Sequence, residues 1–174
     1  VVTMQGWEPE RAPGYGWPLD TRTWVNPSPN APNLWMARAY PGSVMLEGTT
    51  LSEGRGTTRP LEVLAAPDID AVQVLHEMQA LAPHWLQGCI VRPCWFEPTF
   101  HKHAGKLCSA FHVHVENEGY DHTAFRPWRL YALAFKAIRR LTPDYALWRD
   151  FPYEYENDRL AIDVINGSDL LRKW

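Results

Sequence analysis

Residues 46–60 read LEGTTLSEGRGTTRP, and no other part of the 174-residue chain combines small residues, hydroxyls and charges so densely. Gly48, Gly54 and Gly56 permit backbone conformations with positive φ and let backbone N–H groups approach a ligand closely. The hydroxyls of this segment, Thr57 among them, can both donate and accept hydrogen bonds. A segment of this kind is poor core material, so we expect it to form part of a binding or catalytic site.

The same segment contains two carboxylates that we expect to differ in environment. Glycosidases commonly use two carboxyl groups, one ionised and one held protonated. Glu47 ends residues 43–47, which we predict to be a buried strand, and burial would favour its protonated form. Glu53 lies two residues from Arg55, whose charge would lower the pKa of Glu53. We therefore predict Glu47 as the acid and Glu53 as an orienting or charge-stabilising group. The alternative is that Glu53 and Arg55 form a structural ion pair that only orders the loop.

Upstream of this segment, proline punctuation predicts a stiff arm. Residues 26–33 read NPSPNAPN, and each proline fixes its own φ and restricts its predecessor to extended conformations. A short helix is predicted over residues 34–40, with Asn33 as its N-cap and Pro41-Gly42 as its end.

Downstream, the sequence predicts three further strands. They are residues 61–65, residues 90–96 and residues 111–116. Pro93 predicts that the second of these lies at an edge of the sheet. In the third, alternation predicts that Phe111, Val113 and Val115 are buried and that His112, His114 and Glu116 line solvent or a cleft.

Helical periodicity predicts the remaining elements. One helix is expected over residues 69–81, capped by Asp68, and a longer one from a Thr123 cap to Pro143. Residues 160–172 predict a helix or strand, a glycine turn and a helical start. Strands and helices do not alternate regularly, so we predict an α+β fold in which a mixed sheet packs with several helices.

The bulk properties exclude several classes of function. The net charge is −3 without any basic run, so nucleic acid is not an expected partner. No apolar run approaches the roughly 20 residues of a membrane span, and the first residues lack the basic and apolar regions of a signal peptide, so we expect none in this chain. The glycines do not form a nucleotide-binding fingerprint. The chain does not begin with Met, so we expect that Val1 is not its natural start. Cys89, Cys94 and Cys108 allow one disulfide bridge or none.

Histidines occur as two His-x-His pairs, His101/His103 and His112/His114. Two such pairs facing each other could hold a metal ion, but histidines on a half-exposed strand are usually solvated or hydrogen-bonded. Arg92, Lys102 and Lys106 add positive charge nearby, so we predict no metal site.

Several blocks of the sequence resemble, in order, the C-terminal half of the bacterial exo-β-N-acetylmuramidases, the NamZ family. The most specific block is residues 47–60. Others are VVTMQGW at 1–7, WVNPSPN at 24–30, YPG at 40–42, FEPTF at 96–100 and NGSDL at 166–170. The resemblance extends over essentially the whole chain. Five residues depart from the family pattern: Ala31, Asn33, His101, His103 and His112.

The resemblance implies a secreted or periplasmic hydrolase that releases terminal N-acetylmuramic acid from the non-reducing end of peptidoglycan fragments, without a cofactor. It also implies a two-domain enzyme with a Rossmann-like N-terminal half, absent from this chain, and a substrate cleft between the halves. Residues 1–174 would then be a single C-terminal domain, with residues 1–7 as the last strand of, or the linker from, the N-terminal half. The absent half is expected to carry the leading candidate catalytic glutamate, so this domain alone should be inactive.

The resemblance gives specific roles to residues of this chain. Muramic acid carries a lactyl carboxylate, which a bidentate arginine can bind, and Arg55, Arg59 and Arg92 are candidates. Asn30 could bind the N-acetyl group or a hydroxyl, and Trp24 or Trp95 could stack on the sugar. Two alternatives remain, a non-catalytic carbohydrate or cell-wall binding module, and a purely structural role for the glycine-rich segment as a domain interface.

Overall fold

In the computed structural model, which describes residues 1–3, 5–6, 23–150 and 152–174, the chain forms an α+β fold around a small antiparallel sheet. The strands are β1 (Val63–Ala66), β2 (Ile90–Phe96) and β3 (Cys108–His114). The helices are α1 (Leu34–Ser43), α2 (Ala71–Leu81), α3 (Pro127–Leu141), α4 (Ala161–Asn166) and α5 (Leu170–Lys173). Two 3-10 turns, Val44–Gly48 and Pro83–Leu86, complete the elements of the described ranges.

The sheet has β3 at its centre, in the order β1-β3-β2, and both pairings are antiparallel. The expected mixed sheet is therefore wrong for the described residues. The prediction from Pro93 is confirmed, because β2 is an edge strand, where a residue without an N–H donor is tolerated.

Side-chain alternation along β3 separates two layers. Phe111, Val113 and Val115 are fully buried in the main core, which confirms the predicted apolar face. His112 lies on the opposite face, but it is only 5% exposed. The expectation that His112 lines solvent or a cleft is wrong, because residues 46–60 cover this face of the sheet. Val63, the cross-strand partner of His112, packs against the turn at Gly54.

Helix α3 supplies the main core on the other face. Its buried side includes Leu130, Tyr131 and Phe135, which share one core with the apolar face of β3, and the helix packs against α1 and α2. The helix begins at Pro127, not after Thr123 as expected, and proline suits this first position because it lacks an N–H. Thr123 instead lies in a turn in which its backbone N–H donates to the Asp121 side chain (2.8 Å).

Helix α1 is longer than its sequence predicts. Asn33 is the N-cap, as expected, since its side chain accepts from Met36 N (2.8 Å). The helix continues through Pro41 and Gly42, because Gly42 packs directly on the backbone of Pro127 at the start of α3. Residues 43–47 are consequently helical, and the buried strand expected there is wrong.

The remaining expectations are met with small shifts. Helix α2 is capped by Asp70 rather than Asp68, since Asp70 accepts from the N–H groups of Val72 and Gln73. The tail forms α4, a left-handed turn at Gly167 and α5. The three cysteines are free thiols. Within the described ranges no helix is both long and apolar enough to cross a membrane. Residues 1–3 and 5–6 belong to no helix or strand, positions 4 and 7 lie outside the described residues, and the assignment of residues 1–7 to a neighbouring domain stays a prediction.

Candidate functional site

The glycine-rich segment is held against the sheet by a single β-bridge. Ser52 N donates to Ala65 O (2.8 Å), and Ala65 N donates to Ser52 O (3.0 Å), so the segment runs beside β1. The preceding turn, Val44–Gly48, rests on α4, where Gly48 contacts the backbone of Ile162 so closely that no Cβ would fit. These two contacts fix the positions from which Glu47 and Glu53 project.

Two glycines make the next turn possible. Gly54 and Gly56 have φ values of +80° and +84°, a region that glycine adopts without penalty. A Cβ at Gly56 would also lie 2.6 Å from Phe100 N. The turn therefore brings residues 99–100 against the glycine-rich segment, where Thr99 N donates to Gly56 O (3.0 Å).

Arg55 joins the two glutamates. Its Nη2 lies 2.7 Å from Glu47 Oε1, and its Nε lies 2.8 Å from Glu53 Oε1. Burial lowers the pKa of the Arg55 guanidinium, but the hydrogen bonds and negative charges of Glu47 and Glu53 outweigh that effect and raise the pKa overall. The predicted ion pair of Glu53 with Arg55 is present, and Glu47 binds the same arginine.

Lys102 is the second cation of this group. Its Nζ donates to Glu53 Oε2 (2.9 Å) and to the carbonyl oxygens of Leu46 (2.8 Å) and Leu51 (2.9 Å). The Glu53 side chain is completely buried, which by itself raises its pKa, but the charge and hydrogen bond of Lys102 reverse the effect and lower the pKa overall. We call Glu47, Glu53, Arg55 and Lys102 the Arg55 cluster.

Glu47 has a polar environment. Besides Arg55, the Tyr153 hydroxyl donates to its Oε2 (2.9 Å), and burial together with this carboxylate raises the pKa of Tyr153 to about 12. Arg149 Nη1 donates to the Glu47 backbone oxygen (3.3 Å). The apolar burial on which we based the acid role of Glu47 is absent, because the preceding residues form a helical turn instead of a strand.

The Arg55 cluster opens onto a cavity of about 350 Å³, which we call the charged compartment. Its lining residues are Asn30, Glu47, Glu53, Arg55, Phe100, His101, Arg149, Tyr153 and Glu154. His101 has a φ of +69°, and its Nδ1 lies 3.5 Å from Glu53 Oε1. Glu53 is thus a buried, ionised carboxylate whose one edge faces a space large enough for a ligand.

A second cavity of about 340 Å³, the apolar compartment, adjoins the first. Asn30 and Arg55 line both. The apolar compartment also contains Trp24, whose indole N–H donates to Ala31 O (3.0 Å), and Tyr40. The proline-rich arm therefore brings Trp24 and Asn30 to the glycine-rich segment, as the sequence suggested.

Four predicted site residues, Thr57, Arg59, Arg92 and the alternative sugar-stacking residue Trp95, lie outside both compartments, and Trp95 is exposed on β2. Thr57 uses its hydroxyl within the turn, where it donates to Gly54 O (2.6 Å) and accepts from Arg59 N (3.1 Å). Arg59 Nη1 pairs with Glu62 Oε2 (3.0 Å). Arg92 is exposed on the edge strand, where its Nε lies 3.4 Å from His114 Nε2.

Arg59 belongs to a separate buried network, the Glu62 cluster, made of Arg59, Glu62, His112, His114 and Glu116. Ligand atoms of His112, His114 and Glu116 lie within 4.8 Å of one another, as a metal site would require. Arg59, however, reaches both Glu62 Oε2 (3.0 Å) and Glu116 Oε1 (3.8 Å), so a guanidinium supplies the positive charge there. The other histidine pair lies elsewhere, with His103 bonded to Thr50 O (2.9 Å), so the two pairs do not combine.

Sequence reasoning did not identify Lys102 and Tyr153 as partners of the two glutamates. They are 49 and 106 residues from Glu53 and Glu47, respectively. A lysine between two histidines in a short loop was the one signal for Lys102, and no periodicity distinguishes Tyr153. Both contacts depend on loops that tertiary packing brings together.

Comparison with known proteins places this chain in a family. Residues 38–174 match the profile of "Exo-beta-N-acetylmuramidase NamZ, C-terminal". The peptidoglycan beta-N-acetylmuramidase NamZ of Bacillus subtilis (strain 168) is 36% identical over 126 residues, which are 72% of this chain and 29% of that protein. The chain thus spans less than a third of the length of this curated relative.

Two solved structures share the fold. Both are DUF1343 family proteins from Bacteroides fragilis NCTC 9343. One superimposes with a TM-score of 0.71 at 23% identity, covering 91% of this chain and 41% of that chain. The other superimposes with a TM-score of 0.52 at 24% identity, covering 86% of this chain and 35% of that chain. The family profile accounts for well over half of the sequence, and this chain therefore belongs to the NamZ family of exo-β-N-acetylmuramidases, whose C-terminal domain it contains.

Proposed function

We propose that this domain forms one wall of the substrate cleft of a hydrolase that releases terminal N-acetylmuramic acid from the non-reducing end of peptidoglycan fragments, outside the cytoplasm. The observation that carries the proposal is the meeting of the charged and apolar compartments at Asn30 and Arg55. Muramic acid has surfaces of both kinds, since it bears a lactyl carboxylate beside lactyl and acetyl methyl groups.

Glu53 suits an electrostatic role in this reaction. Glycoside hydrolysis passes through a transition state with oxocarbenium character, so positive charge develops on the sugar ring. Glu53 is ionised and is fixed by Arg55 and Lys102, so it can oppose that charge without rearranging. Glu47, fixed by Arg55 and Tyr153, is the second carboxylate of the pair. The part of the enzyme outside this domain would supply the opposite wall and the leading catalytic glutamate.

Arg55 is the arginine best placed to bind the lactyl carboxylate. A guanidinium has five N–H donors, and Arg55 uses one from Nε and one from Nη2 for the two glutamates. Because Arg55 lines both compartments, its remaining donors can serve a ligand at their junction. A site that pairs a charged group in this way strongly disfavours N-acetylglucosamine, which lacks the lactyl group.

The test is the cleavage of a chromogenic β-N-acetylmuramide by the natural full-length protein. We expect Glu53→Gln and Arg55→Ala each to lower kcat/KM by about 100-fold or more, because each removes a fixed charge beside the reacting sugar. Arg55→Lys should recover little of the kcat/KM lost in Arg55→Ala, since an ammonium group cannot bridge two carboxylates as the planar guanidinium does.

Glu62→Gln is the matched control, because Glu62 is an equally buried carboxylate bound to an arginine but lies outside the cleft. It should keep kcat/KM close to wild type once the folded fraction is taken into account. The proposal fails if Glu53→Gln and Arg55→Ala both keep near-normal kcat/KM.

One observation favours a second candidate, a non-catalytic carbohydrate-binding module. The apolar compartment with Trp24 and Tyr40 offers aromatic faces of the kind that bind sugars, independent of any catalytic group. This candidate predicts that the full-length protein binds muramyl ligands in calorimetry while cleaving none of them.

A further inference from the structure

The cleft continues beyond the charged compartment over a tight turn. Tyr153 and Glu154 line the charged compartment and also a third cavity of about 400 Å³, which we call the hairpin compartment. Its other lining residues are Tyr155, Glu156, Asn157, Asp158 and Val164. The three compartments therefore form a continuous series, with the apolar compartment at one end and the hairpin compartment at the other.

The turn that forms the hairpin compartment is well fixed. Tyr153 and Glu156 exchange two backbone hydrogen bonds (3.2 and 3.0 Å), leaving Glu154 and Tyr155 at the tip. On one side Tyr153 is tied to Glu47, and on the other Arg159 binds Glu156 Oε2 (2.7 Å). The turn is thus joined, through Tyr153 beside its tip, to a carboxylate of the charged compartment.

Two features of the tip indicate a role in binding. Glu154 has a φ of +55°, in the left-handed region that side chains other than glycine seldom adopt and that occurs preferentially at functional sites. Tyr155 is 98% exposed, so its ring contributes nothing to the core. An aromatic ring held on a fixed turn offers contact area at a small entropic cost.

The two ends of the cleft differ in a way that orients a glycan. At the apolar compartment three lining residues, Ala31, Met36 and Leu61, are buried and form a small core of their own, whereas no lining residue of the hairpin compartment is buried. At the hairpin compartment Glu154, Tyr155, Asn157 and Asp158 are all exposed. An enzyme that removes a terminal sugar needs a closed end for that sugar and an open end for the rest of the glycan.

We propose that Tyr155 forms the subsite for the departing sugar, a β-linked pyranoside of the N-acetylglucosamine type, whose C–H face stacks on the phenol ring. Glu154, Asn157 and Asp158 offer oxygen acceptors for its hydroxyls. The inference rests on the proposed function, because the orientation assumes that muramic acid occupies the other two compartments.

The experiment compares two substrates of the full-length protein. One is the disaccharide in which N-acetylmuramic acid is β-linked to N-acetylglucosamine, and the other is β-N-acetylmuramyl fluoride, whose leaving group has no ring. Tyr155→Ala should lower kcat/KM for the disaccharide about 10-fold, as expected for the loss of one stacked ring. For the fluoride, kcat/KM should stay within about twofold of the wild-type value. Tyr155→Phe keeps the ring and should behave as wild type.

Trp95→Ala is the control, since Trp95 is an aromatic residue, 60% exposed, on the edge strand and outside all three compartments. This variant should leave kcat/KM unchanged for both substrates. Equal losses on both substrates for Tyr155→Ala would mean a structural role, and no loss on either would mean no contact, so either result overturns the inference.

Calorimetry separates this inference from the proposed function. If the wild-type protein cleaves neither substrate, the proposed function fails, but binding still reports on Tyr155. The inference then predicts that Tyr155→Ala weakens binding of the disaccharide about 10-fold and leaves binding of N-acetylmuramic acid unchanged. An unchanged Kd for the disaccharide overturns it.

Discussion

The Arg55 cluster and the Glu62 cluster are built from the same kinds of residue. Glu53 and Glu62 both have completely buried side chains, and each contacts an arginine and a second basic group. The Arg55 cluster faces the charged compartment, whereas no residue of the Glu62 cluster lines the charged, apolar or hairpin compartment. A buried ion pair is therefore insufficient to identify a site, and the space beside it is the distinguishing feature.

The two clusters also differ in how deeply their cations are buried. The Lys102 side chain is 15% exposed and the Arg59 side chain is 41% exposed. Lys102 satisfies three acceptors that belong to different parts of residues 46–53, whereas Arg59 lies at the outer edge of its network. The comparison predicts that stability depends more on the first cation than on the second.

The largest effect is expected for Lys102→Met, which leaves Glu53 and two carbonyl oxygens without their cation. Removal of one partner from a buried pair costs about 3–5 kcal/mol, measurable as a lower denaturation midpoint of the full-length protein. Arg59→Met is the matched change and should cost about 1 kcal/mol, as for a pair with a largely solvated cation. Equal losses from the two variants would contradict the contrast between the clusters.

The next effect concerns the turn that places Arg55. Gly56→Ala combines a φ of +84° with a Cβ 2.6 Å from Phe100 N, so we expect a loss of about 3 kcal/mol in the free energy of unfolding. Gly105→Ala has a similar φ of +72° but open space around the Cβ, and it should cost about 1 kcal/mol. Denaturant unfolding of both variants isolates the close approach from the backbone strain. Equal costs would mean that the contact with Phe100 is unimportant.

A smaller effect on the free energy of unfolding is expected when the pH is lowered. Burial raises the pKa of Glu53, but the charge and hydrogen bond of Lys102, with smaller contributions from other groups, lower it by more. The pKa in the folded protein therefore lies below the ordinary 4.5. Glu53 then contributes stability above pH 4.5 that is lost as the pH falls through its folded pKa. Unfolding measured from pH 6 downward should show this loss in the wild type and a shallower decline in Glu53→Gln. Parallel curves for the two proteins would refute the assignment.

The smallest effect is expected for Arg92→Ala. Arg92 was one of three candidates for binding the lactyl carboxylate, but it is exposed on β2 and contacts the Glu62 cluster through His114. Its removal should change the free energy of unfolding by no more than about 0.5 kcal/mol. Muramide cleavage by the full-length protein should also stay near wild type. A large loss of kcat/KM would place part of the substrate outside the cleft described above.

Local sequence signals predicted several features of the site. The Asn33 cap, the left-handed glycines at 54 and 56 and the pairing of Glu53 with Arg55 follow from backbone preference and charge over a few residues. The direction of the Glu53 pKa was also predicted, but its main cause is Lys102 and not Arg55, on which the prediction rested. Residues 43–47 were predicted wrongly, because a short apolar run does not distinguish a strand from a buried helical turn.

The sequence by itself determined the α+β class, the family, the glycine turn within residues 46–60 and the apolar face of β3, because each depends on neighbouring residues or on a recurring motif. Only the tertiary structure decided that Lys102 and Tyr153 complete the environment of the two glutamates, that Arg59 and Arg92 serve a different cluster and that His112 is buried. The physical reason is distance along the chain. Charges and hydrogen bonds act between atoms that packing brings together, and two cavities form beside residues 46–60 because the proline-rich arm, the 99–105 loop and the turn at Tyr153 converge on them.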